Sequence, residues 1–156
     1  MEINTPLGIF SNIWIGCGFA SWTVAQALKL LRAFKRTGEI DFTYFVSTGG
    51  MPSAHSATMA GIATSIGMTE GFNTPIFAVA FALAGVTMFD ASTVRMAAGK
   101  QARLLNEIAR EIRATHRVST QPLKELLGHT RFEVVVGMLV GIVVSGLLSW
   151  WWLATR

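Results

Sequence analysis

Charge is what this sequence has least of. Asp, Glu, Lys and Arg make up 14% of its 156 residues, against about 25% in a soluble domain. So little charge cannot clothe a globular surface. It excludes a disordered tail, an ordinary soluble enzyme and a nucleic-acid-binding domain. Cysteine is almost absent: Cys17 stands alone, so no disulfide can form within the chain. Before Lys29 the only charged side chain is Glu2, whereas a cleavable signal peptide opens with a basic stretch. Internal repeats and low-complexity tracts are missing too. What remains is apolar, with 51% hydrophobic residues and a mean hydropathy of +0.47. The length corresponds to a single domain, residues 1–156.

The apolar residues fall into four blocks, which predict helices over about 7–33, 53–70, 74–97 and 132–154. A bilayer core takes about 20 apolar residues per helix, and the first and fourth blocks meet that easily. The second and third are shorter and rich in Gly, Ala, Ser and Thr, which suits helices packed inside a bundle. The expected fold class is all-α, an integral membrane bundle of four embedded helices. The alternative is a soluble bundle of very apolar helices. Residues from about 98 to 116 predict a further, amphipathic helix. Ala98, Ala102, Leu105, Ala109 and Ile112 recur at three- and four-residue spacing, with Arg103, Glu107, Arg110 and Glu111 between them. That helix either continues the third block or lies on the membrane surface.

The basic residues set the orientation. Of 13 Lys and Arg, only Arg156 lies outside the stretches 29–36 and 95–131. With four spans, those two stretches share one side, and basic residues stay cytoplasmic. The expected location is the cell inner membrane, multi-pass, with both termini outside and anionic headgroups against the basic face. Trp150, Trp151 and Trp152 read as an interfacial anchor on the outer side. Gly137 and Gly141 form a small-xxx-small pattern that fits a homodimer or packing within one chain. Cys17 reads as a small packing residue, and His116 as a solvated one.

Ionisable groups are costly inside a membrane. Here Lys29, His55, Asp90, Arg95, His129 and Glu133 gather at the cytoplasmic helix ends. They are either interfacial charges or an active site at the membrane surface. His55 sits in Gly49-Gly50-Met51-Pro52-Ser53-Ala54-His55-Ser56. Ser53 is a good N-cap, and the free amides of a helix start attract anions. His129 precedes the last apolar helix with Glu133 four residues on, sharing a helical face. A carboxylate on one ring nitrogen fixes the tautomer and leaves the other free to attack. A simple surface pair has the same spacing.

Pro52-Ser53-Ala54-His55 and Gly128-His129-x-x-x-Glu133 together resemble the second and third signature motifs of the type 2 phosphatidic acid phosphatase and haloperoxidase superfamily. The chain is more closely similar to its divergent bacterial and plant branch of small membrane proteins. Supporting stretches are Gln26-Ala27-Leu28-Lys29, Ser47 to Ser56, Met88 to Arg95, Gly99-Lys100-Gln101-Ala102 with Leu105-Asn106, and Leu123 to Val134. The resemblance covers about residues 20–145. It implies a nucleophilic His129 oriented by Glu133, His55 as general acid, and a phosphohistidine intermediate with no metal or cofactor. It also implies a phosphate cradle at Ser53 and Gly50, with Lys29 as the first-motif lysine and Arg36 at that motif's spacing. Lys124 and Arg95 are the candidates for a further phosphate contact, Asp90 for holding Arg95, and Gln101 and Asn106 for support. Thr37 replaces that motif's proline, Leu123 stands where the third motif has arginine, and the acid is Glu.

The function expected from this is a membrane lipid-phosphate phosphatase. Its substrate is phosphatidylglycerophosphate, phosphatidate or an isoprenyl phosphate or diphosphate, met at the cytoplasmic face. The alternatives are a non-catalytic phospholipid-binding or scaffold protein of the same fold, and a metal-dependent variant using Asp90 and the Glu107 region.

Overall fold

The computed structural model describes residues 6–38, 50–115 and 128–156. Among them every regular element is helical. A short 3-10 turn, Pro6–Ser11, leads into α1 (Ile13–Thr37), followed by α2 (Ala54–Glu70), α3 (Pro75–Ser92), α4 (Val94–Thr115) and α5 (Arg131–Ala154). Local chemistry sets the starts. The Asn12 side chain accepts from the amides of Trp14 and Ile15 at 3.0 and 3.2 Å. Ser53 caps α2, and Thr74 with Pro75 behind it caps α3. Thr130 and Glu133 form a reciprocal capping box on α5. The helix expected to end at 97 ends at Ser92. Thr93 interrupts it, and the amphipathic helix begins at Val94.

The core is built from small residues at a four-residue spacing. Cys17, Ser21 and Ala25 of α1, Ser53, Ala57, Gly61 and Ser65 of α2, and Gly137, Gly141, Ser145 and Ser149 of α5 are all buried. Side chains added at Gly137 and Gly141 would strike the carbonyls of Ser53 and Ala57. The small-xxx-small face of α5 is therefore used within the chain, against α2. Hydroxyls pair across this seam: Ser21 with Ser145 and Ser149 with Ser65, each at 3.0 Å. Buried polar groups are thereby satisfied in an otherwise apolar interior.

The large apolar side chains point outward instead. Phe19, Phe81, Val86, Phe89, Leu147 and Trp150 are exposed. A water-soluble fold buries such groups and gains about 1.5–3 kcal/mol for each. Small residues inside and large ones outside suit a bundle with apolar surroundings, where helices associate through close packing. Among the described residues two helical runs are long and apolar enough to cross a membrane, Pro75–Ile112 and Arg131–Ala154. Of the four spans expected, α2 has 17 residues and α1 includes Gln26 and Lys29. Of the two, α2 is shielded by neighbours, since it touches α1, α3 and α5, whereas α1 keeps Ile15, Phe19, Leu28 and Leu31 exposed.

The chain runs up and down, so alternate helix ends meet. At one end Trp14 Nε1 donates to Thr69 Oγ1 at 2.8 Å, and Phe72 packs edge-on to Phe77. At the other end the close of α1, the start of α2, the close of α3 and the start of α5 converge.

Candidate functional site

Backbone bonds tie that second end together. The Ser53 amide donates to the Glu133 carbonyl at 3.1 Å, fixing the start of α2 to the first turn of α5. The His129 amide donates to the Ala91 carbonyl at 2.9 Å, fixing the histidine to the last turn of α3. Gly128, directly before His129, sits at φ +91° with its Cα face pressed on the Arg95–Met96 backbone. Only glycine fits both demands at once.

His129 is 4% exposed. Its Nδ1 lies 3.4 Å from Glu133 Oε2. The two are close but outside hydrogen-bond geometry, and among the described residues the buried Nδ1 has no hydrogen-bond partner. Glu133 Oε2 also accepts the Thr130 amide at 2.9 Å, which immobilises the carboxylate beside the ring. Burial lowers the His129 pKa below the ordinary 6.5, with Lys29 acting the same way and Glu133 opposing. The cost of a desolvated imidazolium leads, so the ring is neutral at physiological pH. Nε2 is the ring nitrogen turned away from Glu133.

His55 occupies the first turn of α2 and is exposed. The charges acting on it are those of Arg95, Lys29 and Asp90, and it acts in turn on His129. Lys29 is buried on α1, its stem 3.8 Å from where a side chain at Gly50 would begin. Arg95 Nε donates to Asp90 Oδ2 at 2.7 Å, both about half-exposed across the α3–α4 break. The structure thus gathers His129, Glu133, His55, Lys29, Arg95, Asp90 and Gly50 at one place.

Other expectations need correction. Ser53 caps α2 as its sequence requires, but its hydroxyl is fully buried and accepts from the Ser56 amide and hydroxyl at 3.4 and 3.0 Å. It faces inward and cannot cradle a phosphate. The amides free at this helix start, among the described residues, are those of Ala54 and His55. Arg36 lies two turns beyond Lys29, about 10 Å along α1, and is exposed away from the cluster. Gln101 and Asn106 lie about 9 and 16 Å beyond Arg95 along α4. Lys124 is outside the described residues. The metal reading meets an obstacle: Arg95 occupies Asp90, Glu107 pairs with Arg103 at 3.3 Å, and among the described residues no three His, Cys, Asp or Glu converge.

Two positioning features escaped the sequence reading, the Ala91 carbonyl and the backbone contact at Gly128. A glycine directly before the histidine was the available signal for the second. The first is a main-chain atom, and no side-chain pattern marks it.

The model of the divergent PAP2 family matches residues 10–144. An uncharacterized membrane protein of Bacillus subtilis, YuiD, is 32% identical over 164 residues, covering 98% of this chain and 100% of the relative. No solved structure matches.

Proposed function

The chain belongs to the divergent PAP2 family, and we propose that it hydrolyses a lipid phosphate at the cytoplasmic membrane surface through His129. The observation that carries this reading is the buried, neutral His129 held against Glu133 and within electrostatic reach of Lys29 and His55, with Arg95 in turn beside His55. Phosphoryl transfer needs little else from a protein than positioning and charge neutralisation.

In this mechanism His129 Nε2 attacks phosphorus as the P–O bond to the lipid alcohol breaks. Nδ1–H turns onto Glu133, whose carboxylate stabilises the charge the ring acquires. Protonated His55 gives its proton to the departing alkoxide. Neutral His55 then takes a proton from water, the hydroxide attacks the phosphohistidine, and inorganic phosphate leaves with His129 restored. Lys29, Arg95 and the amides of Gly50, Ala54 and His55 meet the phosphoryl oxygens, with Lys124 a further candidate. Asp90 aims Arg95.

The bundle embeds four helices, α1, α2, α3 and α5, with α2 shielded by its neighbours. The site end faces the cytoplasm and both termini face outward. Phosphatidylglycerophosphate, phosphatidate and isoprenyl phosphates or diphosphates are the substrate classes. The test is phosphate release by the detergent-purified protein over that panel, with and without EDTA, beside His129→Ala. Chelator-resistant release that disappears in the variant supports the reading. Release lost on chelation favours a metal-dependent reaction. A folded protein that releases nothing favours the scaffold alternative.

A further inference from the structure

Among the described residues α4 touches α3 and makes no contact with α1, α2 or α5. Val94, Leu105, Ile108 and Ile112 fall within about 40° of one line down this helix at 100° per residue, and all four are exposed. Gln101 interrupts that line, and Leu104 borders it. Lys100, Arg103, Glu107 and Arg110 occupy the opposite side. An aliphatic line of this length facing water is unusual in a monomer.

We propose that α4 lies in the membrane–water interface, its aliphatic line in the acyl region and its basic side chains among anionic headgroups. Continuity with the outer surface of the bundle is the first argument. Pro75–Ile112 is a run of 38 residues broken at Thr93. At 1.5 Å per residue it measures about 57 Å, against a hydrocarbon core of about 30 Å. The second half must therefore leave the core. Val86 and Phe89 near the end of α3 and Val94 at the start of α4 are all exposed. Thr93 (φ −123°, ψ −69°) departs from helical geometry and provides the bend. Charge is the second argument. From Val94 to Ile112, Arg95, Lys100, Arg103 and Arg110 outnumber Glu107 and Glu111, the balance that attracts anionic lipid. The proposal does not depend on catalysis.

The test uses the full-length chain with Cys17→Ala and one introduced cysteine, Leu105→Cys, Ile108→Cys or Arg103→Cys, carrying a fluorophore. The protein is reconstituted in neutral phosphatidylcholine vesicles and in vesicles that also contain phosphatidylglycerol. Shallow spin-labelled lipid should quench the probes at 105 and 108 several-fold more than the probe at 103, and aqueous iodide should do the reverse. The lipid quenching should be stronger in anionic vesicles, and Lys100→Gln with Arg110→Gln should return it to the neutral level. Equal iodide access at 103, 105 and 108 would mean that α4 projects into water and would overturn the proposal. Shielding of 105 from both quenchers would mean that a second protein surface covers it, with the same consequence. Quenching that ignores lipid charge would overturn the headgroup assignment.

Discussion

Gly128→Ala isolates the backbone geometry that places His129. The new Cβ would lie 2.5 Å from the Met96 nitrogen and 2.8 Å from the Arg95 carbonyl carbon. Both are main-chain atoms, so relief to ordinary contact takes a shift of about 1 Å in the loop that carries His129. The backbone at φ +91° adds about 1 kcal/mol of strain for a residue with a side chain. Overpacking adds about 1–3 kcal/mol. The sum, about 2–4 kcal/mol, corresponds to a melting temperature lowered by roughly 5–15 °C in a chain of this length. A displacement of about 1 Å at the nucleophile costs about 100-fold in turnover. Thermal unfolding in detergent and phosphate release under saturating lipid measure the two effects. Gly85→Ala is the control, since nothing lies within 4 Å of its added Cβ. Gly128→Ala with the stability and turnover of Gly85→Ala would refute the claim that this contact sets the histidine.

Gly141→Ala should lower stability by about 2–3 kcal/mol, because its Cβ meets the Ala57 carbonyl and the helices must part; a chemical denaturation midpoint equal to wild type would contradict the packing. The acid limb of kcat/KM should fall below pH 6.5, since burial keeps His129 neutral into more acidic solution. Glu133→Gln removes the opposing influence, so it should move that limb to still lower pH while reducing kcat; a shift to higher pH would reverse the assigned sign. Cysteines introduced at Gly71 and Lys100 should react with impermeant reagents from opposite sides of the membrane, and labelling of both from one side would overturn the shared cytoplasmic face.

The start of α2 was legible because capping is local: Ser53 announces it by residue type, and its side chain accepts the Ser56 amide. Asn12 and Thr130 cap α1 and α5 in the same way, but the apolar blocks alone put the start of α1 six residues too early, near residue 7. The gathering of His55, Asp90, Arg95, His129 and Glu133 was legible because alternating helices return to one end. Rotation about each helix was not. Whether Ser53 faces a ligand or the core depends on where α5 packs, and Gly137 brings α5 directly over it. Arg36 keeps the motif spacing from Lys29, yet two helical turns carry it past the cluster. Gly137 and Gly141 fitted a homodimer or an internal seam equally well until α2 was seen to fill their face. The early start of α4 depends on Thr93, which has no Gly or Pro beside it to mark a helix end.

The most direct test of the central claim is a search for phosphate on the enzyme. The purified protein is mixed with a turned-over lipid phosphate, quenched within one catalytic cycle under alkaline conditions, digested and mapped by mass spectrometry. The account predicts a phosphorylated His129, absent in His129→Ala. Steady release of phosphate with His129 unmodified, or a phosphoryl group on any other residue, would contradict it.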